Sequence, residues 1–262
     1  MIDAASASTS VFCAVWNKDP DRHSLLRSHL AVLAAQTTAV NPVYVFDDGD
    51  EPPPWLDGTI VVAPHPLTIY QAWNLGVRVA DTEYVMNLNL DDRLAPDAVA
   101  LLEDAVRAND TGLAAGEWNI CFTQQATDEV VPSYTARRLP FLPAWPPATG
   151  LTTRLGSGTG ERGTLGPGTL WRRDLHDRVP YPWQFASGDP IKIVGDLAWW
   201  GIVGKHLNKT AIRLPLVIGN YHSHPADQAE FRSADEHAKL SREGIRPGWY
   251  PLEGITVSQE QR

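Results

Sequence analysis

The sequence predicts an α/β fold with a mainly parallel central sheet flanked by helices. Three observations carry that prediction. Short apolar runs of strand length alternate with segments whose apolar residues recur at helical spacing, the order of successive βαβ units. The runs are apolar nearly throughout, as in strands covered on both faces. Two of them end in acidic turns, Asp47-Asp48-Gly49-Asp50 and Asn89-Leu90-Asp91-Asp92, at the end of a strand where open α/β sheets bind ligands.

Taken in order, Val11-Phe12-Cys13-Ala14-Val15-Trp16 reads as a buried first strand, stopped by the turn cluster Asn17-Lys18-Asp19-Pro20. From His23 to Gln36, Leu25, Leu26, Leu30, Leu33 and Ala34 fall on one helical face. Pro42–Phe46 is a second strand, Thr59–Ala63 a third, and Ile69–Ala80 a helix with Gln71, Trp73 and Asn74 near its start. The strand Tyr84–Leu88 runs into Asn89–Asp92, the helix Pro96–Ala108 follows, and an apolar run spans Gly112–Cys121.

The character changes after Phe122. Gln124–Thr135 reads as a polar hairpin, and Leu139–Pro147 is rich in proline and aromatics. Gly150–Gly168 carries seven glycines, too many for a regular element; it reads as a flexible linker or, as its place within a compact chain favours, a lid that orders over a substrate. A helix begins at Gly195-Asp196, Thr210–Leu214 and Leu216–Tyr221 read as closing strands, and Asp227–Glu243 is helical with a frayed tail beyond Pro251. This divides the chain into 8–122, 123–225 (with the glycine-rich loop 150–168) and a C-terminal helix and tail, 226–262, within one compact domain.

Composition narrows the function. The chain has 262 residues, with 22 basic and 31 acidic side chains, a formal charge of −9. That argues against a broad nucleic-acid surface, which needs basic patches, and leaves room for a local phosphate site. No apolar run reaches membrane-spanning length and Met1–Ser10 resembles no signal or transit peptide. The expectation is a cytoplasmic protein, free or held at the membrane periphery. Cys13 and Cys121, the two cysteines, read as reduced thiols.

The two acidic turns are the first candidates for chemistry. Asp91 is placed to hold a divalent cation on a diphosphate; the competing reading has Asp92 and Asp97 capping the next helix. Arg172 and Arg173 suit phosphate, and Trp199 and Trp200 offer flat faces for a sugar, with one of the two expected to face the core.

The order of these features resembles the family 2 inverting glycosyltransferases of the GT-A fold, from about Val11 to Pro225. Val11–Trp16 with Asn17 looks like their opening strand and turn. Val43–Gly49 looks like the strand whose acidic pair, here Asp47 and Asp48, holds the base and ribose. Ile69–Gly76 is similar to the helix whose Asn-x-Gly, here Asn74 and Gly76, lies beside the nucleotide. Asn89-Leu90-Asp91-Asp92 occupies the place of the Asp-x-Asp metal motif. Trp171–His176 followed by Gly195-Asp196 resembles the acceptor-side segment with the catalytic Asp, and Tyr221–Pro225 the closing strand whose His completes the metal site.

The resemblance implies a Rossmann-like sheet with an acceptor-side subdomain. It implies a hexosyltransferase-like enzyme moving a sugar from a nucleotide-diphosphate donor, UDP by default, to a hydroxyl of a glycan, lipid-linked sugar, protein or small molecule. Asp196 is then the base, Mn²⁺ or Mg²⁺ the cofactor, and Asp91 with His224 the metal ligands, His222 being the rival. Trp16, Asp47, Asp48, Asn74, Asn89, Arg172 and Arg173 become donor-site residues, and Trp199 and Trp200 acceptor-site residues. Two positions depart from the family pattern: Asn89 replaces the first carboxylate of the metal motif, and Gly195 stands where an acidic neighbour of Asp196 is expected. They motivate the alternative of a non-catalytic nucleotide or carbohydrate binder. A nucleotidyltransferase would instead carry a Gly-rich basic loop after its first strand.

Overall fold

The computed structural model describes residues 7–16, 19–133, 152–153, 168–206, 211–222, 234–246 and 248–259. In chain order the elements are β1 (Thr9–Ala14), α1 (Arg22–Ala34), β2 (Val40–Phe46), β3 (Thr59–Val62), α2 (Ile69–Val79), β4 (Tyr84–Asn87), β5 (Arg93–Leu94), α3 (Ala98–Asn109), β6 (Leu113–Cys121) and α4 (Gln124–Thr127). They continue with β7 (Thr152–Thr153), β8 (Leu170–Arg172), α5 (Arg173–Arg178), α6 (Gly195–His206), β9 (Ala211–His222), α7 (Ala234–Glu243) and β10 (Thr256–Gln259).

The strands form one mixed sheet in the order β10-β3-β2-β1-β4-β8-β6-β9-β5, with β7 beside β9. Its first half is parallel: β1 lies between β2 and β4, Thr9 level with both Val40 and Tyr84, and β3 follows β2. Beyond β4, β8 is antiparallel to both β4 and β6, while β9 is parallel to β6. Two reversals restore direction, so β6 and β9 point the same way as β4. The carboxyl ends of β1, β2, β3, β4 and β9 therefore share one edge of the sheet, and β8 delivers Arg172 and Arg173 to the other.

Both faces are covered. In β1, Phe12 faces the side occupied by α2, meeting Trp73 and Trp171 edge-on at ring separations of 6.4 and 5.8 Å. Its neighbour Val11 faces the opposite side, in the cluster that includes Leu102 and Val106 of α3 and Trp118 of β6. This alternation of buried side chains is what the apolar runs require. Gly76 lets α2 close on β1, since a Cβ there would lie 2.9 Å from that of Phe12.

Three elements differ from the sequence reading. The expected pair of closing strands is one strand, β9: its pairing with β6 shifts register around Gly116 and Glu117. That irregularity accommodates Pro215, which has no N–H to give. The polar hairpin begins as the short helix α4, with Thr123 Oγ1 accepting from Ala126 N–H at 3.2 Å. The tail beyond Pro251 is not frayed: β10 pairs antiparallel with β3, Thr256 level with Val62.

Candidate active site

At the end of β2 the chain turns sharply. Asp48 takes a left-handed backbone conformation (φ 55°) and its N–H donates to His65 O at 3.1 Å, leaving its side chain exposed. Asp47 Oδ2 accepts the Leu67 N–H at 2.7 Å. Leu67 precedes Thr68, the N-cap of α2, whose hydroxyl and the Gln71 side chain form a reciprocal capping box. Asp47 thus ties the end of β2 to the entry of α2.

At the end of β4 the two carboxylates behave differently. Asp91 is half-buried and Asp92 fully buried. Asp92 Oδ1 accepts the His222 N–H at 3.0 Å, so β9 ends against the acidic turn. Burial first, then the neighbouring Asp91 charge, push the Asp92 carboxyl well above the usual carboxylate range. Asp91 is raised as well, by burial, with His222 and Arg93 pulling it down. Asn89, beside Asp92, also pulls Asp92 down. A carboxylate at position 89 would add a third negative charge to a pair that already desolvates poorly; the amide supplies a hydrogen bond without it. Arg93 is buried and gives Nε to Asp128 at 2.8 Å and Nη1 to Asp92 O at 2.8 Å. His222 Nδ1 lies 3.1 Å from Thr127 Oγ1.

Asp196 opens α6. Its Oδ1 accepts the Leu197 N–H at 2.7 Å and lies 3.1 Å from the Tyr70 hydroxyl. Burial raises its carboxyl, opposed by those two hydrogen bonds. Tyr70 belongs to the first turn of α2 and also donates to Ile193 O at 2.5 Å. The glycine before Asp196 has a steric cause: a Cβ on Gly195 would sit 2.5 Å from the Tyr70 ring. The ring lies against the Gly195 backbone, and only without a side chain there does the hydroxyl reach Asp196.

Other candidates lie elsewhere. Asn74 is buried in mid-helix, giving Nδ2 to Tyr181 O at 2.9 Å and Gly248 O at 3.3 Å and accepting Tyr250 N–H at 2.8 Å. Its amide ties α2 to the chain near the C-terminus, a packing role that occupies the groups a nucleotide would use. Arg172 and Arg173 sit at the amino ends of the parallel strands, bound to Glu83 at 3.0 Å and Asp177 at 3.2 Å, because β8 runs against β4. Trp199 is fully buried, its Nε1 donating to Val179 O at 2.6 Å and its ring 5.1 Å from that of Trp171; it is core, not an acceptor platform. Trp16 is 64% exposed just past β1 at the carboxyl edge, a free flat face. His224, the Trp200 side chain and nearly all of 150–168 lie outside the described residues.

The carboxyl edge therefore gathers Trp16, Asp47, Asp48, Asn89, Asp91, Asp92, His222 and, through Tyr70, Asp196. Among the described residues no three His, Cys, Asp or Glu side chains form a group able to hold a metal by themselves. Sequence reasoning missed Tyr70, whose place in the first turn after a Thr-x-x-Gln cap was visible, and the His222–Asp92 contact, which depends on the strand order.

No family model matches the chain, and no curated protein matches it by sequence. Solved structures match its fold. Residues 1–349 of S. aureus TarS superimpose with a TM-score of 0.60 at 13% identity, over 91% of this chain and 67% of that one. The same protein in complex with UDP-GlcNAc gives 0.60 at 12% identity, over 91% and 68%. A longer TarS structure gives 0.58, over 91% of this chain and 40% of that one. The chain thus has a GT-A-like fold, a central sheet containing parallel strands flanked by helices. No helix among the described residues is long and apolar enough to cross a membrane.

Proposed function

We propose that the protein is an inverting glycosyltransferase that moves a sugar from a UDP-sugar to an acceptor hydroxyl. The observation that carries this reading is the gathering of Asp47, the Asn89–Asp92 turn, His222 and Asp196 at one edge of the sheet. The fold adds support, because TarS, which shares it, is known in complex with UDP and with UDP-GlcNAc.

Each residue then has a task. Trp16 offers its exposed face to the uracil, and Asp47 accepts hydrogen bonds from base or ribose. The residues at the end of β4 fit a hard cation: two adjacent carboxylates, of which Asp92 Oδ2 is buried and has no hydrogen-bond partner among the described residues, where such ions take one or two protein carboxylates plus phosphate oxygens. Asp91, with His222 or His224, would hold Mn²⁺ or Mg²⁺, and the ion would offset the charge on the departing diphosphate. Asp92 stands behind Asp91 and fixes the end of β9 by accepting the His222 N–H.

Asp196 takes the acceptor's proton as its oxygen attacks the anomeric carbon. A raised carboxyl is the better base near neutrality. Direct displacement with one base predicts inversion and no covalent intermediate. Tyr70 has one proton and two oxygens to serve, Ile193 O and Asp196 Oδ1. Donating it to the carbonyl leaves the phenolic oxygen able to accept from Asp196 once that carboxylate is protonated.

The binder reading drew on Asn89 and Gly195. Both have local causes in the fold, namely charge relief beside Asp91 and Asp92 and clearance for the Tyr70 ring. The test is a screen of UDP-, GDP- and dTDP-sugars with Mn²⁺, scored by nucleotide release. UDP release from a UDP-sugar, slow without acceptor, is expected. Thermal stabilisation by a donor with no nucleotide release would mark a binder instead.

A further inference from the structure

We propose that Glu236 is a positioning residue for Asp196. This rests on the reading of Asp196 as the base. Glu236 lies in the first turn of α7, forty residues beyond Asp196 in the chain. Its Oε1 accepts the Lys192 N–H at 3.0 Å, and its Oε2 accepts the Ile193 N–H at 2.8 Å and the Val194 N–H at 3.1 Å. Three successive backbone N–H groups close around one carboxylate, the arrangement of an anion-binding nest, here filled by the protein itself.

The gripped peptide leads directly into Gly195-Asp196. Its other side is gripped as well, since Ile193 O accepts from the Tyr70 hydroxyl at 2.5 Å. Ile193 is therefore clamped through its N–H by α7 and through its carbonyl by α2. The same hydroxyl lies 3.1 Å from Asp196, so the clamp and the base share one atom. Shift the peptide and Tyr70 must choose between its partners.

None of the described residues of α7 is buried. Leu240 packs against the core as a partly buried side chain, and Lys239 lies over the Phe185 ring. The rest of its hold on the 186–194 segment is polar: the Glu236 nest, the Lys239–Asp189 ion pair and the Ala186 N–H on Gly244 O at 3.2 Å. Hydrogen bonds to an ionised acceptor are the strong ones of this set. A glutamine at 236 keeps one acceptor oxygen and turns an N–H₂ group toward backbone N–H donors, which loosens the peptide without emptying a core.

The experiment is a double-mutant cycle on nucleotide release, using the nucleotide sugar that the donor screen selects, with melting temperatures recorded alongside. Glu236→Gln is expected to lower kcat about tenfold or more and leave the donor KM within about twofold. In an Asp196→Asn background the same change is expected to lower the residual kcat less than about twofold, because its effect passes through the missing carboxylate. Equal losses in both backgrounds, or an unchanged kcat in Glu236→Gln, would overturn the role of Glu236. If Glu236→Gln does not fold, Glu236→Asp, which withdraws the carboxylate by one methylene, takes its place in the cycle; wild-type kcat there would overturn it too. Wild-type kcat in Asp196→Asn itself would remove the base and this inference together.

Discussion

At the amino end of β4 the charged side chains are matched to one another: Arg172 donates to Glu83 at 3.0 Å, and Arg173 to Asp177 at 3.2 Å. At the carboxyl edge Asp50 is paired with Arg22, but three other carboxylates accept backbone N–H groups. Asp47 accepts from the Leu67 N–H, Asp92 from the His222 N–H, and Asp196 from the Leu197 N–H. Arg93, the cation beside Asp91 and Asp92, gives its Nε to Asp128. Ion pairs cancel charge and ask nothing of a ligand. Carboxylates fixed by backbone N–H groups are held in direction with no cation spent on them, which suits a site built to meet a cation or take a proton.

The largest test of that contrast is Asp196→Asn. Loss of a general base typically costs 10²–10⁴-fold in rate, so kcat should fall by about 10³ with the melting temperature nearly unchanged. The wild-type pH profile gives a second check. As the proposed base, Asp196 would work deprotonated, and its raised carboxyl would place the acid limb of kcat above the ordinary carboxylate range. The titratable groups facing it are Tyr70, Tyr181 and His237. Activity that persists unchanged in Asp196→Asn removes the base from this edge.

Asp91→Asn comes next. It should cut transfer by about 10²-fold and raise the Mn²⁺ concentration needed for half activity, since one of the one or two carboxylates a hard cation uses is gone. Full activity of the wild type in excess chelator would show that the edge holds its carboxylates for another purpose.

A third test concerns what stands behind the edge. His29 of α1 is fully buried, its Nε2 3.3 Å from Leu88 O and its Nδ1 3.0 Å from the Tyr44 hydroxyl. Leu88 O accepts only, so Nε2 carries the proton and Nδ1 accepts from tyrosine. Burial, helped by the charge of Arg93, lowers His29 from 6.5 to about 3. The folded state thus binds its proton less readily than the unfolded chain. The stabilising contribution is complete above about 6.5 and lost as pH falls toward 3, at up to about 1.4 kcal/mol per pH unit. Denaturation midpoints of wild type and His29→Gln should differ at pH 7 and converge by pH 4.5; parallel curves would mean that His29 does not titrate this way.

How much of this was legible before the fold? Runs such as Val43–Phe46 and Tyr84–Leu88 announce buried strands because they are apolar on both faces, and they bring Asp47 and Asp91 with them to the ends of parallel strands. The placement of Arg172, Arg173 and Trp199 is not legible in the sequence, for one shared reason. Their surroundings depend on β8 running against β4 and on the segment after α5 folding back over α2, and no local spacing encodes direction or long-range packing. Asn74 fooled the reading differently: a buried amide binding three backbone groups looks, in sequence, the same as one awaiting a ligand. Glu236 left no trace, since nothing in Asp235-Glu236-His237 distinguishes it from a solvated helix start.

The smallest expected effect belongs to the amino edge, and it is the one that most sharpens the contrast. Arg172 is partly exposed; it pairs with an exposed Glu83, donates to Thr111 O at 3.3 Å and covers the Tyr84 ring at 5.7 Å. Such a surface pair contributes about 0–1 kcal/mol, and a partly exposed cation over the ring about 0.5–1 kcal/mol. Arg172→Gln keeps a donor for Thr111 O, so the loss should stay near 1 kcal/mol, a melting shift of about 2–4 °C in a chain of this size. The donor KM and kcat should both stay within about twofold of wild type. A tenfold rise in donor KM without loss of folding would mean that the diphosphate is read from the amino edge. The division of labour between the two ends of the sheet would then have to be abandoned.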